Sequence, residues 1–436
     1  MRAKVKYKLF DPDSFRQKLI VWMNQYPVFC YLDSNNYYGQ SKAGLFYHTY
    51  DTVAGIDFND ILEPGENDAF ASLKEFVHCK NDWLFGYFSY DLKNEIENLT
   101  SGNFDGIGFP DLKFYQPKLV FVIKENNLEI QYLEKYYSKD KINLIINSIE
   151  NIEIIEHKKI SDLYIKRRIP PHEYTDTVNK IKKHIFRGDI YEINYCQEYY
   201  CENQNINPLD IYTKLKNVSP TPFSCFFRLF DKYLISASPE RFLKKMGSKI
   251  ISQPMKGTIN RGKSERSDQH LKNKLKLDPK EIAENVMIVD LVRNDLSKSA
   301  AKESVKVEEL CGIYTFEQVH QMVSTISAEL ESEDDMIDTI KNAFPMGSMT
   351  GAPKVKAMEL IEKYENTKRG MYSGAVGYFT PENDFDFNVV IRSILYNSTK
   401  QYLSYMVGSA ITAKSIPENE YNECLLKAKA INQVLN

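Results

Sequence analysis

No stretch of this 436-residue sequence reaches the ~18 uncharged apolar residues that a spanning helix needs. The N-terminal MRAKVKYKLFDPDSF has neither an apolar h-region nor a cleavage site. A membrane-embedded or exported protein is therefore not expected. Charge of one sign is not in excess either: 56 Lys plus Arg face 59 Asp plus Glu, a net charge of -3. That leaves no broad basic field for a phosphate backbone or an anionic bilayer, so nucleic acid and membrane are excluded as partners. The seven cysteines (30, 79, 196, 201, 225, 311 and 424) form no CxxC and no Cys/His zinc spacing, and an odd set of scattered thiols fits a reducing compartment. A cytoplasmic protein is expected. Fixed-period repeats and low-complexity tracts are missing as well. What remains is ordinary globular material, 43% hydrophobic and 26% charged, long enough for one large or two to three average domains.

The first part of the chain alternates β-branched and aromatic runs with polar turns: PVFCYLD, AGLFYHTYDTVAGI, WLFGYFSYDL and LVFVIKENNLEIQYLEKYY. This reads as a sheet-rich antiparallel region with few helices. The segment IINSIENIEIIEHKKISD reads as a helix followed by a connector, and a boundary near 165 divides the chain into 1–165 and 166–436. The second region opens with a helix in which Tyr174, Val178, Ile181 and Ile185 recur at helical spacing before Gly188 stops it. Strands follow around FSCFFRLF, KYLISASP and Ile250–Ile251 before helices return. Hairpin-length gaps without regular βαβ alternation predict an α+β protein with large antiparallel sheets.

Two segments each carry a pair of carboxylates three residues apart. Asp278-Pro279 reads as an N-cap with Pro at the first helical position, so Glu281 and Glu284 share a face. A second start at Ser415 and Pro417 puts Glu420 and Glu423 on one face of the last helix. Four converging carboxylates suit a hard ion such as Mg²⁺, while glutamates in a first turn also simply complement the helix dipole. In FPMGSMTGAPK, backbone N–H groups and the hydroxyls of Ser348 and Thr350 precede a helix, a seat for a small carboxylate or an ordinary loop. The P-loop pattern is not satisfied there, because Ala and Pro separate Gly351 from Lys354. Lys256, between Pro254 and Gly257, is either a solvated charge or, if held dry, a lysine able to lose its proton and act as nucleophile. Glu240 in SASPERFL is either a desolvated general acid or the ion-pair partner of Arg241.

Taken together and in order, GDIYEINYCQ, SASPERFL, QPMKGT, EIAENVMIVDLVRNDL, FPMGSMTGAPKVKAMELIE, RGMYSGAVGYF and SIPENEYNECLLKA resemble the chorismate-utilising enzymes over residues ~170 to 432. That family holds anthranilate synthase component I, aminodeoxychorismate synthase component I, isochorismate synthases and salicylate synthases. YLDSNN and WLFGYFSYDL resemble the N-terminal region of its aminating members. The resemblance implies an α+β sandwich of two large antiparallel sheets with helices outside, and a Mg²⁺-dependent site for chorismate. It places the metal on Glu281, Glu284, Glu420 and Glu423. Tyr372 and Arg392 match residues holding the enolpyruvyl carboxylate, and Thr350, Gly351, Gly408 and Lys427 match further substrate contacts. Glu240 matches the acid that protonates the departing 4-hydroxyl.

Lys256 matches the members that make 4-amino-4-deoxychorismate for folate. In them this lysine adds at C2 as the C4 hydroxyl leaves, and ammonia then attacks C4 and expels it. Anthranilate synthases usually carry a small residue there, and also a His where this chain has residues near Asp338. Isochorismate and salicylate enzymes place a Lys base at the position of Glu192, where aminating members often have Gln. Asp33 and Ser34 resemble a segment lining a tryptophan pocket, and a plain turn explains DSNN equally well. TINRG and VGSAI depart from the commoner family patterns. No nucleophile-elbow cysteine is present, so the resemblance implies ammonia from a separate glutamine amidotransferase subunit. Three readings stand: the 4-aminating synthase, anthranilate synthase component I, and a non-catalytic homologue that keeps the fold.

Overall fold

The central strands of this protein alternate between two apolar environments, whereas the edge strand Arg2–Lys8 alternates between core and water. In Val28–Asp33, Phe29 and Tyr31 pack in one cluster while Val28 and Cys30 pack in another. In Leu112–Lys124, Leu119, Phe121 and Ile123 divide from Val120 and Val122 in the same way. A strand that is apolar on both faces must be covered on both. The computed structural model describes residues 2–37, 49–65, 68–154, 163–332 and 336–435, and in it two antiparallel sheets face each other with helices outside. The start of AGLFYHTYDTVAGI and the end of IINSIENIEIIEHKKISD lie outside the described residues.

One sheet runs from Arg2–Lys8 through Asn127–Leu133, Leu112–Lys124, Thr52–Ile61, Val28–Asp33, Phe223–Leu229, Lys232–Ser238, Ser393–Asn397 and Tyr402–Ile411 to Glu192–Cys201. The other runs from Leu112–Lys124 through Leu84–Phe88, Ala375–Phe379, Phe385–Val389, Arg241–Met246 and Lys249–Gln253 to Val319–Glu329, which also pairs with Met255–Asn260 and Lys306–Thr315. Leu112–Lys124 therefore belongs to both. Residues 112–115 pair with Leu84–Phe88, residues 119–124 pair with Asn127–Leu133, and Pro117, which has no N–H to give a ladder, lies between them.

The interior cluster joins Val28, Phe227 and Leu234 of the first sheet to Phe85, Tyr87 and Val376 of the second. Rings of Tyr87 and Phe227 meet edge-on across it, 5.6 Å apart. Outside, Pro12–Met23, Lys139–Glu150, Pro171–Arg187, Pro208–Val218, Lys354–Tyr364 and Pro417–Leu435 cover the first sheet. Ala69–Lys80, Pro279–Ser297 and Met336–Ala343 cover the second. Pro171–Arg187 buries Tyr174, Val178 and Ile181 and ends at Gly188 with φ 88°, as the spacing predicts. Strands from both sides of residue 165 hydrogen-bond in each sheet. Among the described residues no helix is long and apolar enough to cross a membrane.

Candidate active site

Strand ends from the first sheet, Met255–Asn260 of the second and two outer helices close around a cavity of about 100 Å³. Lys256 reaches it because its strand bulges. The register against Val319–Glu329 shifts between Lys256 and Thr258, with Gly257 at φ 79°, a conformation glycine adopts without cost. The bulge also seats Gly257 against the adjacent helix: a Cβ there would stand 2.9 Å from Oε2 of Glu281. That helix begins where expected, since the Asp278 carboxylate accepts hydrogen bonds from the N–H groups of Lys280 and Glu281.

Lys256 Nζ donates to Glu192 Oε1 at 2.5 Å. Burial disfavours its charge, but Glu192, Glu284 and Glu423 outweigh burial and hold the amine above the ordinary lysine value. The expectation that a dry lysine sheds its proton is thereby reversed: Lys256 is dry but paired. Glu240 behaves the other way. Burial pushes its carboxyl up to about 7, against the opposing effects of the Ser348 hydroxyl and the Lys256 charge, and Ser348 Oγ donates to its Oε1 at 2.6 Å. Arg241 pairs with Asp386 instead, so Glu240 is not its ion-pair partner.

Glu281, Glu284 and Glu423 line the cavity, while Glu420 is buried beside them. Lys280 stands among these groups, 3.6 Å from Glu284 and 3.3 Å from Glu420. Oε1 of Glu284 and Oε2 of Glu420 are buried without a hydrogen-bond partner, and burial pushes Glu284 up to about 7. Buried carboxylate oxygens that lack a hydrogen bond are the donor chemistry of a divalent ion, even with the Lys280 charge nearby. Among the described residues no three acidic, His or Cys side chains already converge at ligating distance, so the present arrangement is one of carboxylates sharing a lysine.

Tyr372, Arg392, Gly408 and Lys427 line the same cavity. Arg392, at φ 50°, donates to Gln321 Oε1 at 3.2 Å. Lys427 Nζ donates to the Gly408 carbonyl at 2.9 Å and pairs with Glu423 at 2.8 Å. Thr350 and Gly351, unlike Ser348 and Met349, do not line the cavity. The Thr350 hydroxyl is turned to the carbonyls of Met346 and Gly347, and Gly351 pairs with Ile193. Asp338 is remote, bonded to Lys74 at 2.5 Å. Asp33 and Ser34 line a different cavity, with Phe223, Tyr378 and Asn388. There Asp33 is held by Lys216, Tyr31 and the N–H of Asn35, whereas Ser34 Oγ is buried and unpartnered.

Sequence reading passed over Lys280, Asn194, Gln321 and Met406. The i,i+4 spacing of Lys280 and Glu284 was a usable signal for the first. The others sit in strands buried on both faces, where no alternation marks the side that meets a cavity.

A two-sheet α+β sandwich closing on an acid- and lysine-lined cavity defines the class of the chorismate-utilising enzymes. Its backbone matches the menaquinone-specific isochorismate synthase from Escherichia coli with a TM-score of 0.79 over 100% of this chain and 94% of that one, at 15% identity, a likeness of fold. The chain belongs to the chorismate binding enzyme family, whose profile matches residues 29–433. It is 31% identical over 360 residues to aminodeoxychorismate synthase component 1 of Bacillus subtilis, covering 80% of this chain and 76% of that one. To anthranilate synthase component 1 of Acetivibrio thermocellus it is 32% identical over 370 residues, covering 80% and 74%.

Proposed function

We propose that this enzyme is the chorismate-aminating component that makes 4-amino-4-deoxychorismate, with ammonia delivered by a separate glutamine amidotransferase. The observation that carries the reading is Lys256 Nζ in the cavity that also holds Glu240 and the glutamates. The two relatives above are nearly equal in identity, so the side chain, rather than overall similarity, separates 4-amination from anthranilate formation. Arg392 and Lys427 offer cationic donors to the substrate's carboxylates. Glu240 holds a proton for the 4-hydroxyl as that group departs, and the neutral Lys256 amine adds at C2. Ammonia then bonds to C4 and Lys256 leaves. This covalent route divides one allylic substitution into two.

Glu281, Glu284, Glu420 and Glu423 would hold Mg²⁺, as the buried oxygens of Glu284 and Glu420 that lack a hydrogen bond favour. When bound, the ion supplies positive charge opposite a substrate carboxylate. Seven free thiols fit the cytoplasm.

The test is to incubate the full chain with chorismate, Mg²⁺ and ammonium and identify the product by mass. The expected product is 4-amino-4-deoxychorismate, with glutamine used only when an amidotransferase is added. Lys256→Arg should bind substrate and fail to turn over. A wild-type sample quenched without ammonia should carry an adduct on the Lys256 peptide. Anthranilate fluorescence from the wild type would overturn the assignment, as would a fully active Arg variant with no adduct.

A second reading concerns the separate cavity at Asp33 and Ser34, which we assign to tryptophan on the strength of the unpartnered Ser34 hydroxyl. Thermal unfolding should shift upward with millimolar tryptophan, and no shift removes this assignment.

A further inference from the structure

Glu192 opens the strand Glu192–Cys201, and its backbone is fixed by pairing with Ala352. Its side chain is 1% exposed. Oε1 accepts from Lys256 Nζ, while Oε2 is buried and has no partner. A carboxylate in this position is costly to bury unless its charge is used. The charge is used on Lys256, and among the described residues Glu192 is the one carboxylate within ion-pair distance of that amine. The other charged groups that act on Lys256 are Glu284 of Pro279–Ser297, Glu423 and Lys427 of Pro417–Leu435, and Glu240 after Lys232–Ser238. An amide could accept the same hydrogen bond. Only a carboxylate can also take the proton.

We infer that Glu192 is the positioning residue that takes one proton from the Lys256 ammonium, keeps it while the lysine is bonded to the substrate, and returns it when the lysine leaves. The inference rests on the nucleophile reading given above. The protons balance as follows. Transfer within the pair gives neutral amine and Glu192 carboxylic acid. The amine nitrogen bonds to C2, both conjugated ring double bonds shift by one position toward C4, and the C4–O bond breaks with the Glu240 proton, releasing water. Ammonia bonds to C4, the C2–N bond breaks, and neutral Lys256 recovers its proton from Glu192. The new C4 ammonium gives its extra proton to the Glu240 carboxylate. Chorismate plus ammonia has become aminated product plus water, and all three side chains are restored.

A pair that shares one proton need not lose it to solvent before each turnover. Wild-type kcat should therefore be flat with pH on the acid side of the Glu240 titration. Glu192→Gln removes the acceptor without changing shape, so its Lys256 must shed its proton to water. Its kcat should be about 10²–10³-fold lower near neutrality and should rise roughly tenfold per pH unit, giving a bell-shaped profile with the product unchanged. Glu192→Asp, which keeps an acceptor, should lower kcat but leave the profile flat.

The measurement is kcat against pH for the wild-type chain and both variants, with chorismate, Mg²⁺ and total ammonium adjusted so that free ammonia is constant and saturating at every pH. A Gln profile parallel to wild type would overturn the role of Glu192, and so would an Asp profile that climbs as steeply as that of Gln. Lys256→Ala is the control on the underlying reading: if it still makes 4-amino-4-deoxychorismate at the wild-type rate, the nucleophile itself is lost, whatever the Glu192 variants do.

Discussion

At Glu240, desolvation turns a common carboxylate into an acid useful near neutral pH. Burial pushes it up to about 7 from an ordinary 4.5, so the proton that the proposed reaction draws from it is present below about 7 and gone above. The rate should therefore fall as pH rises through that value. Glu240→Gln should cost about 10²–10⁴-fold in kcat and abolish this limb, as a pH series of initial rates will show. Stability follows the same sign. The folded state holds this proton more tightly than the unfolded chain, so the group's contribution is complete below about 4.5 and is lost as pH climbs through about 7. Urea midpoints of the Gln variant should thus change less over that window than those of the wild type. The residue was visible in the sequence as an acid following a strand. Its desolvation was not, because Ser348, its hydrogen-bond partner, is 108 residues away. The sequence marks Glu192 only by its departure from the usual Gln, because its 2.5 Å contact with Lys256 joins two segments 64 residues apart.

Elements convert short-range signals into the site. Helix starts were legible: Asp278-Pro279 and Pro417 begin helices as their chemistry requires, and Gly188 ends one. The bulge at Gly257 was not, since a lysine-glycine step reads equally as a turn. Gly257→Ala should destabilise the fold by about 1–2 kcal/mol, because alanine is strained at positive φ. Its methyl group would also press Oε2 of Glu281, 2.9 Å away. We expect a lower unfolding temperature by calorimetry and a higher Mg²⁺ concentration for half-maximal rate. A variant with both unchanged would show that the bulge positions nothing. On the opposite wall, Glu423→Gln should abolish turnover while leaving the circular dichroism spectrum intact.

At the scale of the molecule, the cavity opens toward a second hollow that shares Thr258, Arg392 and Lys427 with it and adds Arg261 and Lys429. A net charge of -3 gives no overall attraction for a dicarboxylate, so the local basic mouth must supply it. Raising ionic strength from about 0.01 to 0.15 M shortens the screening length from about 30 to 8 Å. This should lower kcat/KM several-fold and leave kcat alone, and Lys429→Glu should flatten the dependence. The α+β class and the antiparallel sheets were readable from strand runs and gap lengths. The joining of the two sheets through Leu112–Lys124 was not, because Pro117 in LKFYQPKLVFVIK looks like a break in one strand rather than a change of partners.

The order of the strands also sets a timetable for synthesis. Val28–Asp33 pairs on one edge with Phe223–Leu229, and residue 223 leaves the ribosome 190 positions after residue 33. At about 5–20 residues per second, that edge waits about 10–40 s for its neighbour. It is the apolar run VFCYLD, an invitation to pair with the wrong chain. The nascent protein therefore passes through a prolonged adhesive phase, and the cavity closes only once Pro417–Leu435, the helix that carries Glu423 and Lys427, has also been made.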